Sequence, residues 1–310
     1  MVNSPNGALT GNRHVTCSYI HITDAVHSQE KKNERSLLLL TLRVPLYMVI
    51  RMRILVCVKQ VPESDSLIRI DENTGWILAD EISEYRMNRL DEFAVEEAVL
   101  IKEASSDTSI DALSVGPDRS TDVIKRSIGM GADTGIHIVT ESDGYLSSFE
   151  IASLVAEYAR DLTYDLILTG AMSEDNLQGQ VGPMIANRLA LPCATVVICE
   201  KISSDKKSIY VEREIEGGNR DLLELQLPAV LTIQSGINTP RYPSLSNLLL
   251  ANRQELQKIH TGDLAKRTSC ENFVQLVYPQ KTRDGLVLTG TEKEKATQLI
   301  GILQEKALLV

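Results

Sequence analysis

The stretch Arg53-Ile54-Leu55-Val56-Cys57-Val58 is followed directly by the loop sequence Lys59-Gln60-Val61-Pro62. A short, almost purely aliphatic run that ends in a polar segment is typical of a strand covered on both faces. We therefore predict that residues 53–58 form the first strand of an α/β domain that begins at Met52.

Short aliphatic runs alternate with helical periods after this first strand. Further strands are predicted at 110–115, 136–139, 165–169 and 194–199, and helices at 90–104, 118–128, 147–161 and 179–190. This alternation predicts an α/β fold with a doubly wound, mostly parallel five-stranded sheet, for which we take the strand order 3-2-1-4-5. We place this α/β domain at residues 52–236, with a small hairpin around Asn73-Thr74-Gly75.

The pattern changes after Cys199. Three strands with turn residues between them follow at 209–215, 222–227 and 229–233, and we expect them to be antiparallel additions to the sheet. Residues 237–310 are predicted to form an arm and a C-terminal helix. The arm shows helical periodicity only near 248–256, and the final amphipathic helix is expected at 292–308.

Residues 1–51 have no sustained hydrophobic period and carry a net charge of +3, from six Lys/Arg and three acidic residues. Their one apolar run, 37–50, is too short to span a bilayer and is interrupted by Arg43 and Pro45. We expect a disordered leader or a mis-assigned start, with Met52 as the natural beginning. A mitochondrial transit peptide is the functional alternative.

Composition excludes several classes of function. The net charge of −10 and the scarcity of aromatic residues argue against nucleic-acid binding. The five cysteines form no CxxC pair, which favours reduced thiols in a reducing compartment. Only two histidines, His137 and His260, lie beyond residue 51, so a histidine-based catalytic triad or metal site is not expected.

A ligand is expected beyond the carboxyl ends of strands 1 and 4, where the connections leave to opposite faces of the sheet. The loop 170–178 leads into Gly179-Gln180-Val181-Gly182, where free backbone N–H groups at a helix start can hold a phosphate. The alternative is a plain glycine-rich helix start. Neither GxGxxG nor GxxxxGK[ST] occurs, which disfavours dehydrogenases and P-loop NTPases.

Several separated strings resemble the electron transfer flavoprotein beta subunit family over about residues 52–265. They are Ile54 to Pro62, Met87-Asn88 with Ala94 to Ala98, Gly129 to Asp133, Gly170 to Gly182, Val211 to Gly218, Leu225 to Val230 and Pro240 to Leu245. The resemblance implies an electron carrier rather than an enzyme. It also implies a heterodimer with an alpha subunit whose FAD is the redox centre, and AMP or a second FAD bound by beta.

The same resemblance implies a nucleotide site in this chain. Its residues would be Cys57, Asn88, Arg89, Leu90, Asp91, Val115, Gly170, Ala171, Met172, Ser173, Glu174, Asp175, Gly179, Gln180 and Val181. Some AMP-binding members have Asn and Thr where Gly179 and Val181 stand here. Gln180-Val181-Gly182-Pro183 and the long C-terminal helix look more like the electron-bifurcating members, in which beta holds FAD and also binds NADH. AMP and FAD therefore both stay open.

Two more positions would contact partners. Leu245 matches the leucine that docks acyl-CoA-dehydrogenase-type flavoenzymes, which donate electrons in β-oxidation, with a quinone oxidoreductase downstream. Without the resemblance, Leu245 is better explained as part of a short packed helix with 248–250. Glu214 matches an acidic residue that contacts the alpha subunit near its flavin. Its alternative explanation is a solvated charge alternation, Glu212-Arg213-Glu214.

Two other classes share the five-strand unit. A stand-alone nucleotide-binding regulator of universal-stress type could end near Cys199, so the region 200–265 argues against it. An adenylating enzyme would need a Ser- and Gly-rich pyrophosphate loop after strand 1, and Lys59-Gln60-Val61-Pro62 is not one. We expect a cytoplasmic protein in a bacterium, or a mitochondrial-matrix protein in a eukaryote, with no transmembrane segment.

Overall fold

A computed structural model describes residues 51–66, 68–78, 83–141, 143–265, 269, 271–279, 285–306 and 308. The predicted leader lies outside the described residues apart from Arg51. The described residues form two compact units. The first contains the residues up to Ile68 and those from 83 to 273, and the second contains Arg69–Leu78 and the residues from Val274 onward. A domain boundary at residue 236 stays a prediction.

The secondary structure follows the predicted alternation closely. The strands are β1 (Met52–Cys57), β2 (Gln60–Pro62), β3 (Tyr85–Met87), β4 (Thr108–Gly116), β5 (Thr134–Val139), β6 (Leu166–Gly170), β7 (Cys193–Ile202), β8 (Ser208–Glu214), β9 (Arg220–Gln226), β10 (Ala229–Ile233) and β11 (Gln257–His260). The helices are α1 (Arg89–Ala104), α2 (Thr121–Met130), α3 (Ser148–Ala159), α4 (Val181–Leu189), α5 (Leu245–Arg253) and α6 (Glu292–Glu305). Within the described residues, every helix is too short or too polar to cross a membrane.

The main sheet has the strand order β11-β5-β4-β1-β6-β10-β7-β8-β9. The strands from β11 to β7 are parallel, and β8 and β9 are antiparallel additions. The predicted fold class is confirmed, and so is the predicted neighbourhood of the first four strands. The helices α1 and α2 cover one face of the sheet and α3 and α4 cover the other.

One strand differs from the prediction. Residues 229–233 were expected to be an antiparallel addition, but β10 is parallel and lies between β6 and β7. All five residues of β10 are buried, which suits a central strand covered on both faces. In contrast, β9 alternates between exposed and half-buried residues, as an edge strand does. The continuous apolar run of β10 is the sequence signal that distinguishes this central strand from the edge strand β9.

β1 shows why the sheet needs helices on both faces. Ile54 and Val56 pack into the core beneath α1 and α2, and Leu55 packs into the core beneath α3 and α4. All three side chains are fully buried. Because successive side chains of a strand point to opposite faces, an aliphatic strand such as β1 can bury all of them only between two layers.

Residues 238–260, called the arm here, lead from the end of β10 across the helices α1 and α2 to the far edge of the sheet. Near the start of the arm, Arg241 forms an ion pair with Glu96 of α1 at 2.8 Å. α5 then lies against α2, where Leu248 contacts Gly129. The arm ends in β11, which pairs with β5 as an additional parallel strand. The arm is therefore held at both ends and in the middle.

The second unit contains the predicted hairpin. Asp71 N donates to Trp76 O and Leu78 N donates to Arg69 O, both at 2.8 Å, and Gly75 takes the left-handed conformation at φ +67°. Leu276 N donates to Gly75 O at 2.8 Å. The unit also contains α6, whose N-terminus is closed by a capping box between Thr291 and Glu294. The hairpin and the C-terminal helix are both confirmed.

Candidate functional site

The switch point of the sheet lies between β1 and β6, as predicted. The chain leaves β1 through Val58 and Lys59 and leaves β6 through residues 171–180, and both segments lie at the carboxyl edge of the parallel strands. We call the space between these two segments the crevice. Crevices at this position are where open α/β sheets bind their ligands.

Asp91 ties the two sides of the crevice together. Its Oδ2 accepts a hydrogen bond from Lys59 N at 2.7 Å, and its Oδ1 accepts one from Gly170 N at 3.0 Å. A Cβ atom on Gly170 would lie only 2.4 Å from Asp91 Oδ1, so the close approach requires glycine. Asp91 stands in the first turn of α1, where the helix dipole favours a negative charge.

Burial dominates the electrostatics of this carboxyl group. Asp91 is 5% exposed, and burial raises its pKa from 3.8 to about 7, although hydrogen bonds from Asn88, Lys59 and Gly170 oppose the shift. A buried carboxylate of this kind is held by its hydrogen bonds and is not available to solvent. Asp91 was predicted to contact the nucleotide. Its contacts show that it fixes the spacing between the two sides of the crevice.

Asn88 performs a similar role one turn earlier. It is 1% exposed and precedes α1. Its Nδ2 donates to Met172 O at 3.0 Å, and its Oδ1 accepts from Glu174 N at 3.0 Å. Its backbone N–H donates to Lys59 O at 2.8 Å. The side chain therefore shapes the segment after β6, while the backbone holds the segment after β1.

Charged groups line the rim of the crevice. Lys59 Nζ lies 2.6 Å from the Asp175 carboxylate, so this ion pair joins the two sides. Arg89 N donates to the Glu174 carboxylate at 3.0 Å, and Arg86 forms an ion pair with the same carboxylate at 3.0 Å. The sequence placed Glu174 and Asp175 in the site but did not single out Lys59. A lysine directly after a buried first strand is the signal that could have identified it.

The segment after β6 packs closely on itself before α4 begins. A Cβ atom on Gly179 would lie 2.8 Å from Ala171 O, so this position also requires glycine. α4 begins at Val181, two residues later than predicted, and Gln180 provides no side-chain hydrogen bond to cap it. The first N–H groups of α4 therefore have no side-chain cap and can donate to an anion.

The structure brings most of the predicted site residues to one edge of the sheet. The half-buried Cys57 ends β1 close to Asp91, and burial, with a smaller contribution from the Asp91 charge, raises the pKa of its thiol. Val115 stands at the end of β4, the strand next to β1. Leu90 follows Arg89 in the first turn of α1, and its backbone lies 2.9 Å from where a Gly170 Cβ would be.

Two predicted residues lie away from the crevice. Glu214 ends β8, which is separated from β6 by β10 and β7, and its side chain is exposed. Leu245 is the first residue of α5 in the arm and is 74% exposed. The short helix expected to join Leu245 with 248–250 does form and begins at Leu245, but the Leu245 side chain is exposed and not packed. Both residues are accessible to a partner protein.

The residues of the crevice fit a phosphate group, as a bound nucleotide would present. The uncapped start of α4 and the Lys59 ammonium group can donate hydrogen bonds to phosphate oxygens, and the glycines at 170 and 179 allow Asp91 and Ala171 to pack closely around that position. Gln60 directly follows Lys59, and its Oε1 atom is buried without a hydrogen-bond partner. This oxygen can therefore accept a hydrogen bond from a ligand at this end of the sheet.

Comparisons with known proteins all point to one family. Residues 75–263 match the family model described as the electron transfer flavoprotein domain. The chain is 31% identical to electron transfer flavoprotein subunit beta of Bacillus subtilis over 84% of this chain and 100% of that relative. It is 34% identical to the Bos taurus subunit over 78% of this chain and 94% of the relative. It is 31% identical to the mitochondrial subunit of Arabidopsis thaliana over 84% of this chain.

The pKa of Asp91 predicts a pH dependence of stability. Because the folded-state pKa of about 7 is above the unfolded value of 3.8, the folded protein binds the extra proton, and stability falls as pH rises between these values. The slope from this group is up to roughly 1.4 kcal/mol per pH unit. In Asp91→Asn, we expect the unfolding free energy, measured by denaturant titration, to fall less steeply across this interval. If the unfolding free energy fell equally steeply with pH in the wild type and in Asp91→Asn, the raised pKa could not belong to Asp91.

Proposed function

The chain belongs to the electron transfer flavoprotein beta subunits, and from this premise we propose that it forms one half of a heterodimer with an alpha subunit. In this complex, electrons from dehydrogenases pass through a flavin to a downstream acceptor. FAD bound mainly by the alpha subunit supplies the redox chemistry. The beta chain carries electrons as part of the complex and needs no catalytic nucleophile of its own.

The observation that carries this proposal is the extent of the family match. The matched residues, 75–263, include the start of α1, the segment 170–181 and the arm with Leu245. The same stretch contains the antiparallel strands β8 and β9, which a stand-alone regulator of universal-stress type does not need. Family membership therefore supports the electron-carrier hypothesis over the regulator.

We propose that the crevice holds AMP or a second FAD. The α4 N–H groups and Lys59 would bind phosphate oxygens, with Lys59 exchanging the Asp175 carboxylate for the ligand. Asp91 and Asn88 would hold the two sides at the spacing that the nucleotide needs. The lack of a side chain at Gly179 means that contacts there would come from the backbone. This arrangement suits either nucleotide.

Exposed apolar residues in the second unit support the proposal that another protein chain covers this part of the molecule. In the second unit, Val274, Val277, Leu286 and Val287 are each more than two-thirds exposed. A group of exposed apolar side chains is typical of a surface that another chain covers. We assign these residues of the second unit to contact with the alpha subunit. Glu214, exposed at the end of β8 in the first unit, is a separate proposed contact with the alpha subunit.

Leu245 is proposed as the anchor for acyl-CoA-dehydrogenase-type flavoenzymes, with a quinone oxidoreductase as the acceptor downstream. Leu245 is the most exposed of the leucines on this held helix, and an apolar contact centred on one side chain can form and separate quickly, as electron delivery requires. We place the protein in a reducing compartment, cytoplasmic or mitochondrial, in agreement with the free thiols of Cys57 and Cys193.

Co-expression tests the heterodimer. The full chain expressed alone is expected to be colourless or weakly yellow. Co-expression with an electron transfer flavoprotein alpha subunit from the same organism is expected to give a yellow complex, because FAD is held mainly by alpha. Size-exclusion chromatography with flavin absorbance measures both properties. A stable homodimer that does not associate with alpha would contradict the proposal.

Substitution of Leu245 tests the docking role. Leu245→Ala is expected to slow electron transfer from an acyl-CoA dehydrogenase at least several-fold, since removing a buried anchor at an interface costs more than about 1 kcal/mol. Flavin content should not change. The matched control is Leu250→Ala, also in α5 and 65% exposed, which should transfer electrons normally. Equal rates for both variants would remove Leu245 from the docking contact.

A further inference from the structure

Asn238, the first residue of the arm and called its root here, lies against a pair of acidic residues. Glu97 of α1 is 7% exposed, and Glu200 of β7 is close enough to form a hydrogen bond with it. A hydrogen bond between two carboxyl groups requires a proton on one of them, because two carboxylates have only acceptors. A like charge so close disfavours ionisation of the second carboxyl group, so its proton is lost only at higher pH.

The arm connects directly to this pair. Asn238 donates through its Nδ2 to Glu97 Oε2 at 2.8 Å and to Phe93 O at 3.0 Å. Glu200 Oε2 and Asn238 Oδ1 are both buried without a hydrogen-bond donor. Because Glu200 Oε2 is buried without a donor beside a second carboxyl group, a proton shared between the two carboxyl groups accounts for it. A protonated carboxyl group supplies the donor.

Among the residues that the structure describes, no positive charge is recorded as acting on the pair. On α1, the neighbouring charge that acts on Glu97 is the carboxylate of Glu96. That carboxylate forms an ion pair with Arg241 at 2.8 Å. On β8, the residue paired with Glu200 is Val211, which is apolar and buried. Burial, then the charge of Glu97 and the hydrogen bond with it, raise the pKa of Glu200 to about 8. The pair titrates as a unit.

We propose that Glu97 and Glu200 hold the root of the arm through one shared proton, and that loss of this proton at alkaline pH loosens the arm. The proton leaves to solvent, and both carboxylates are then charged. Their repulsion displaces the Glu97 side chain from Asn238, which leaves Asn238 with only its hydrogen bond to Phe93 O and weakens the first anchor of the arm. Glu97 and Glu200 are positioning residues in this account. Its consequence for docking rests on the proposed function of Leu245, which the arm presents.

The test is hydrogen–deuterium exchange of the arm in the full chain at about pH 6.5 and about pH 8.5, compared between wild type and Glu200→Gln. Glutamine resembles the protonated carboxyl group and cannot lose a charge. Comparing the two proteins at the same pH cancels the intrinsic pH dependence of exchange. At the higher pH, we expect exchange in the wild-type arm to be faster by on the order of tenfold. At the lower pH, the two should match.

Two controls make the result specific. Glu97→Gln should behave like Glu200→Gln, which covers the case in which one variant does not fold. Glu103→Gln removes an exposed carboxylate that also binds Arg241, and it should keep the wild-type pH response. A wild-type arm with no extra exchange at the higher pH, or the same increase in the Gln variants, would overturn the proposal. Because no partner enzyme is present, failure of the docking role of Leu245 leaves this measurement unaffected.

Discussion

The Asp91 carboxylate, held between the backbone N–H groups of Lys59 and Gly170, is the interaction on which the site depends. β1 and β6 are neighbours in the sheet, but their following segments leave in different directions, and nothing in the strands alone sets the gap between them. A single buried side chain on α1 fixes that gap at both edges. The ionised carboxylate is costly in this environment, and its hydrogen bonds and the α1 dipole offset only part of the cost, so burial still raises its pKa.

α1 connects the two functional regions of the first unit. Its first turn, with Asp91, shapes the crevice, and its middle, with Glu96 and Glu97, anchors the arm through Arg241 and Asn238. One helix therefore sets the position of the crevice and of the arm that presents the exposed Leu245. The acidic residues of α1 are distributed between buried and exposed positions, and the buried ones have the structural roles.

The sequence predicted the elements of this fold well because aliphatic strands and amphipathic helices have clear periods. It misplaced β10 because turn residues on both sides resembled those of the antiparallel strands, although the all-apolar run 229–233 indicated a central position. Glu97 and Glu200 were missed because an acidic residue beside an apolar helix stripe gives no sign of its partner on a strand more than a hundred residues away. Likewise, only the fold shows that Asp91 fixes the spacing of the crevice.

The central claim is that the crevice between β1 and β6 holds an adenine nucleotide. The most direct measurement is to denature the purified full chain and quantify the released adenine nucleotide by mass spectrometry. We expect about one per chain in wild type and in Gly262→Ala, where no atom lies within 4 Å of the added Cβ. We expect loss in Gly179→Leu, because its side chain would collide with Ala171 O. Wild-type protein that releases no adenine nucleotide, or an undiminished amount from folded Gly179→Leu, would contradict the account.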